Sequence, residues 1–191
     1  MPDPDGAGPD GVERLAWSPA GPRLELTADP VAAQLAAWSV LDRVQVAPID
    51  AELADTAAFC QRYGVPMAEA TKRVLVAGTQ AGELRYAACV VLATDRADVN
   101  GALRRVLDVR KASFAAMVAA VALTGMEYGG ITPIGLPAGW PIFIAGQVAD
   151  AGPVVIGSGL RRSKLRIDGR LLAELPGAQV LAELALSPAA G

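Results

Sequence analysis

None of the 191 residues is a histidine. Ser-His-Asp triads, Cys-His dyads, imidazole acid–base catalysis and nearly every zinc site are thereby excluded. Chemistry in this chain falls to lysine, carboxylates, hydroxyls, backbone amides or groups that a substrate brings with it. Lysine is scarce: Lys72, Lys111 and Lys164 are the three, and arginine supplies the other basic positions. Lys72 opens the run Lys72-Arg73-Val74-Leu75-Val76, so its ammonium stands at the start of an expected strand. From there a compact point charge can pair with a phosphate or polarise a carbonyl. A gatekeeper charge at a strand end gives the same pattern. Cys60 and Cys89 form no CxxC pair and read as reduced, buried apolar groups, so neither a metal site nor a cofactor is expected.

A second candidate is Thr124 to Pro137, where four glycines and two prolines occur in fourteen residues. Such a stretch cannot be a helix or a central strand. Glycine lets the backbone approach a ligand closely, and each proline fixes the exit direction. A loop of this kind can present amides to a ligand oxygen, as carbonyl or oxyanion recognition requires, or serve as a structural turn. Glu127 is the carboxylate within it, suited either to anchoring the loop or to meeting a substrate amine. A third candidate is Gly157-Ser158-Gly159, which also suits an ordinary hairpin turn. The basic cluster Arg161, Arg162, Lys164 and Arg166 follows. It suits phosphate contacts, and a solvated strand edge accounts for it equally well. Aromatic residues make up only 5% of the chain, so base stacking is not expected as the main mode of RNA binding.

The elements that hold these groups follow from periodicity and turn residues. Asp29-Pro30 starts a helix over 31–40 as N-cap and first-turn proline. A strand is expected over 44–49 and a helix over 51–63, stopped by Gly64. Strands over 73–77 and 86–92 flank a turn at 78–82, and the apolar second strand is the more central. Asp98 caps a helix to about 108, and 113–124 reads as another, stopped by Gly125. Beyond the glycine-rich loop come a strand over 142–145, a hairpin of 154–156 with 165–167, a helix over 170–175 and an apolar stretch over 180–186. This irregular alternation predicts an α+β fold rather than a doubly wound sheet.

Length predicts one domain: a largely flexible segment over 1–28 and a single domain over 29–191. The composition, 52% hydrophobic and 19% charged, is that of a folded protein. No apolar run approaches the ~20 residues of a membrane span, and no signal sequence is evident, so the expected location is the cytoplasm. The net charge of −3 is uneven: residues 1–60 carry −7 and residues 61–191 carry +4. The basic part coincides with the candidate chemistry.

Thr124-Gly125-x-x-x-Gly129-Gly130-x-x-Pro133-x-Gly135 resembles the TGxxxGGxxPxG signature of the YbaK/prolyl-tRNA-synthetase-associated editing family. The likeness is strongest over 55–180. Tyr63-Gly64-Val65-Pro66 followed by Thr71-Lys72-Arg73-Val74-Leu75-Val76 is similar to that family's helix, short loop and Lys-Thr-Leu-Val strand. Arg73 stands where the family usually has a small hydroxyl residue, the serine of the Gly-Ser-Gly turn is offset by one position, and Asp150 lies later than the family's aspartate.

The resemblance implies a strongly coiled, mostly antiparallel sheet surrounded by helices. It implies a trans-acting deacylase that hydrolyses the ester of a mischarged tRNA carrying a small amino acid, with substrate-assisted proton transfer and no cofactor. It assigns Lys72 as the functional lysine and Gly129, Gly130, Ile131, Thr132 and Pro133 as the loop that receives the aminoacyl group. Gly157, Ser158 and Gly159 would close the pocket, and Arg161, Arg162 and Lys164 would contact tRNA. The expected partners are the tRNA acceptor end and an aminoacyl-tRNA synthetase, with no membrane. On this reading Lys72→Ala costs roughly 10² in rate. The competing readings are a non-catalytic tRNA- or synthetase-binding regulator and a hydrolase of another small ester or amide.

Overall fold

The computed structural model describes residues 12–186. The flexible segment expected at the N-terminus therefore falls outside the described residues as far as residue 11. In chain order the elements are β1 (Ser18–Pro19), α1 (Asp29–Ala37), β2 (Gln45–Pro48), α2 (Thr56–Tyr63), β3 (Thr71–Gln80), β4 (Glu83–Leu92) and β5 (Arg96–Ala97). There follow α3 (Arg104–Val106), β6 (Ala112–Phe114), α4 (Met117–Thr124), β7 (Ile142–Ala145), α5 (Gly146–Asp150), β8 (Pro153–Gly157) and β9 (Ser163–Asp168). The described chain closes with α6 (Gly169–Leu172), β10 (Ala178–Leu181) and β11 (Ala185–Leu186).

The fold is α+β, as the irregular alternation predicts. One sheet has the order β10-β7-β4-β3-β6, a second β1-β2-β9-β8, and β11 with β5 forms a small third. Pairing is mostly antiparallel; β7 runs parallel to both β4 and β10. β4 sits at the centre of its sheet, where burial on both faces suits its run Ala87-Ala88-Cys89-Val90-Val91, all buried. β3 pairs with β4 over its full length, through a tight turn at Ala81-Gly82. The two larger sheets meet at the start of β3, where Ala70 bridges Val155 and the Thr71 hydroxyl donates to the Val155 carbonyl at 3.0 Å. The main core gathers Leu35, Leu103, Ile134, Phe143, Ile144 and Leu165, each worth about 1.5–3 kcal/mol of burial. A smaller cluster of Ile49, Phe59, Cys60, Tyr63 and Val155 packs under α2.

Local chemistry departs from the sequence expectation in three places. The helix expected over 51–63 is split, because Asp55 accepts from the Ala57 and Ala58 amides and starts α2 anew after a single turn at Ala51–Leu53. Asp29 lies inside the first turn of α1, with Ala28 as its N-cap, and the helix ends at Ala37. Ser113 and Phe114, expected in a helix, belong to edge strand β6 against β3, and α4 begins only at Met117. Gly64 and Gly125 end α2 and α4 with φ of 63° and 64°, the left-handed stop expected of both. Among the described residues no helix is long and apolar enough to cross a membrane.

Candidate functional site

The glycine-rich loop and the Gly-Ser-Gly turn are packed backbone against backbone. The Gly159 amide donates to the Gly130 carbonyl at 2.8 Å, and the Glu127 amide donates to the Gly159 carbonyl at 2.8 Å. A Cβ on Gly130 would stand 2.5 Å from the Leu160 carbonyl, and one on Gly157 would collide with the Gly130 carbonyl oxygen. Glycine at both positions is therefore dictated by this close approach. The Glu127 carboxylate accepts from the Arg161 amide at 2.6 Å, which makes it a loop anchor. The Arg161 guanidinium completes the brace, donating to the Tyr128 carbonyl at 3.2 Å and the Ala51 carbonyl at 2.9 Å.

Between this double loop, the start of β3 and the beginning of α2 lies a cavity of about 630 Å³. Small side chains line much of it, Ala54, Ala57, Ala115 and Ala120 together with Gly129 and Gly157. Phe114, Met117 and Tyr128 line it too and are largely exposed to solvent, so the site has an apolar edge.

Its polar lining holds Asp55, Thr56 and Thr71 beside four cations, Lys72, Arg73, Arg161 and Lys164. Successive strand side chains point to opposite faces, so Lys72 and Arg73 diverge. Arg73 reaches the glycine-rich loop, and its Nε donates to the Ile131 carbonyl at 2.9 Å. Burial pulls its guanidinium down to about 10, which leaves it charged at neutral pH. Lys72 also lines the cavity, but its ammonium donates at 3.4 Å to the Asp95 carbonyl in the turn after β4. Lys164 on β9 is only 7% exposed. Its Nζ donates to the Ala54 carbonyl at 2.9 Å and lies 5.3 Å from the centroid of the Phe59 ring. Burial draws its ammonium down to about 8, and the nearby Arg73 and Arg161 charges act in the same direction.

Of the expected loop residues, Gly129, Ile131 and Pro133 line the cavity, while Gly130 and Thr132 lie buried behind it. The Gly130 and Ile131 amides both donate to the Glu127 carbonyl, and the Thr132 amide points at the Met126 sulphur. These amides close the loop's own turn instead of facing a ligand. Gly157 lines the cavity, whereas Ser158 is buried, its hydroxyl bonded to the Leu160 and Ser163 carbonyls and to the Ser163 hydroxyl. Arg161 braces the loop, and exposed Arg162 donates to the Glu25 carbonyl at 3.2 Å. The solvated-edge account of the basic cluster fails, because β9 lies between β2 and β8 and is not an edge strand. Cys60 and Cys89 are buried free thiols, the latter pushed up to about 12 by burial. Sequence reasoning did not single out Arg73 as a contact of the loop, nor Phe114, Met117 and Tyr128 at the cavity. The alternation of β3 alone would have placed Lys72 and Arg73 on opposite faces.

A model of the aminoacyl-tRNA editing domain matches residues 50–175, a span that contains the double loop, β3 and the cavity cations. The chain belongs to the aminoacyl-tRNA editing domain family. No curated protein matches it. Solved structures share its fold. A candidate trans-editing enzyme for prolyl tRNA synthetase superposes with a TM-score of 0.68 at 21% identity, over 86% of this chain and 96% of that one. A scaffold protein from work on epitope backbone grafting by computational design gives 0.69 at 23% identity, over 81% and 94%. A protein described only as hypothetical gives 0.66 at 23% identity, over 75% and 91%.

Proposed function

We propose that this protein is a trans-acting aminoacyl-tRNA deacylase that hydrolyses the ester linking a small amino acid to a mischarged tRNA. The observation that carries this reading is the cavity itself: small-walled, apolar at one edge, and supplied with Arg73 from the strand that faces the glycine-rich loop and with the buried Lys164 from β9. An aminoacyl ester is already activated, so the protein must position it and stabilise developing negative charge more than supply a nucleophile. Arg73 supplies a positive charge that helps position the acceptor end beside the glycine-rich loop, and a displacement of about 1 Å at a reacting ester costs roughly 10² in rate. Lys72, on the opposite face of β3, orients the acceptor end near the cavity. Gly129, Ile131, Pro133 and Gly157 shape the pocket around the aminoacyl group, and the ribose hydroxyl with a water carries the proton transfer. Alanine and glycine walls favour a small side chain, although one methylene separates substrates by only about 1–3 kcal/mol.

The non-catalytic alternative, a tRNA- or synthetase-binding regulator in the cytoplasm, draws on one observation. The loop amides of Gly130, Ile131 and Thr132 are directed inward and cannot form an oxyanion hole as they stand. A panel of tRNAs mischarged with alanine, serine, cysteine and threonine separates the two. Release of a small amino acid at rates well above the uncatalysed ester supports the deacylase. Tight tRNA binding without release from any member of the panel supports the regulator.

A further inference from the structure

Arg73 and Lys164 share an unusual circumstance. Both line the same cavity, Arg73 half-buried and Lys164 only 7% exposed, and Lys164 feels the charge of Arg73. Among the described residues the ion pairs are Arg23 with Glu25, Arg62 with Glu13 and Arg105 with Glu183, so neither cavity cation has a carboxylate partner. Each instead gives one hydrogen bond to a backbone carbonyl, Arg73 to Ile131 and Lys164 to Ala54. A guanidinium has five N–H donors and an ammonium three, so most of their donor capacity remains for something else. Burying an unpaired charge costs several kcal/mol, and two neighbouring like charges add repulsion. A fold that keeps such a pair at a cavity wall is prepared for an anion that offsets both costs when it arrives.

We infer that Arg73 and Lys164 form a two-cation seat on the inner wall of the cavity that takes a phosphate group, the phosphodiester of the terminal nucleotide when the ligand is tRNA. This rests on the deacylase reading for the identity of the natural ligand, but the seat itself rests on the geometry. A guanidinium fork and an ammonium lining one cavity suit the several oxygens of a phosphate. An aminoacyl ester carries no free carboxylate, so the phosphate is the full negative charge that such a ligand brings near this cavity. The groups facing Lys164 are Cys60 and Asp55 on the α2 side, Arg73 from β3 and Arg161 from the turn before β9. Seating an anion there adds a close counter-charge, since Asp55 faces Lys164 without forming an ion pair with it.

The test is the binding of AMP, adenosine and free alanine to the full-length protein, followed by calorimetry at pH 7 and pH 9.5. AMP is expected to bind at least about tenfold more tightly than adenosine at pH 7, as charge-assisted hydrogen bonds to phosphate require. Its phosphate is fully ionised above pH 7, so loss of the preference at pH 9.5 reports Lys164 losing its proton. Lys164→Arg should keep the preference at both pH values, because a guanidinium stays charged. Arg73→Met and Lys164→Met should each remove the preference while leaving adenosine binding in place, which also shows that the variants are folded. Equal binding of AMP and adenosine by the unaltered protein would overturn the inference. So would a preference that survives both methionine substitutions, or displacement of AMP by alanine through its carboxylate. AMP preference without deacylation of any tRNA leaves the seat standing and removes the deacylase reading. Deacylation without AMP preference removes the seat alone.

Discussion

The basic residues of this chain fall into two groups that look alike in sequence and differ in the folded protein. Arg162 lies exposed on the outside with a backbone carbonyl as its partner, while Arg73 and Lys164 line a cavity, Arg73 half-buried and Lys164 almost wholly buried. Lys72 is intermediate: it lines the cavity, but its ammonium is turned to the Asp95 carbonyl. Water weakens the charge of the outer group, whereas low local polarity magnifies that of the inner group. The same side-chain chemistry is therefore cheap and weak in one place, and costly and effective in the other.

Substitutions across the two groups should separate by size of effect. Arg73→Met is expected to cost about 10² or more in deacylation rate, as loss of a cation that positions the acceptor end, and with it the ester, does. A rate within a factor of three of the unaltered protein would place Arg73 outside the chemistry. Lys164→Met should cost about 10-fold and, at the same time, raise the melting temperature at pH 7. The sign follows from its lowered value of about 8 against 10.5 for a free lysine. The folded state resists protonation of this group, so stability is reduced below pH 8 and recovers as pH rises from 8 towards 10.5. The melting temperature of Lys164→Met should lack that component of the pH dependence, and a fall in melting temperature at pH 7 would count against a buried unpaired ammonium. Lys72→Ala, for which the family resemblance implies a loss of roughly 10², is expected here to change deacylation by only about threefold, mainly in KM, because its ammonium is turned to the Asp95 carbonyl. Arg162→Ala should alter tRNA affinity by no more than about twofold at 0.15 M salt, with a shallower salt dependence. A larger effect from Arg162→Ala than from Lys164→Met would reverse the comparison.

Much of the scaffold was legible in the sequence because its signals are local. Continuous apolar runs mark β4 and β7, and the left-handed stops at Gly64 and Gly125 end α2 and α4 as glycine should. Edge strand β6 was missed because three residues carry no periodicity and its pairing with β3 is nonlocal. The split before α2 was available in principle, since Asp55 two residues before Ala57 is a strong N-cap. The site was legible as a set of loops but not as a charge arrangement. Gly129, Pro133 and Gly157 were recognisable through the resemblance to the editing family, yet nothing local reveals that β9 is an interior strand and so turns Lys164 inward. Nor does spacing reveal that the Gly130 and Ile131 amides close on Glu127. Burial is decided by which strands become neighbours, and that information is spread along the chain.

The most direct test of the central claim, that the cavity cations position the reacting ester by holding the acceptor end, is single-turnover deacylation of a small-amino-acid mischarged tRNA. It compares the unaltered protein, Arg73→Met and Lys72→Ala side by side. The account predicts fast release by the unaltered protein, a loss of about 10² or more in Arg73→Met, and near-normal release in Lys72→Ala. Normal release by Arg73→Met together with collapse in Lys72→Ala would contradict it.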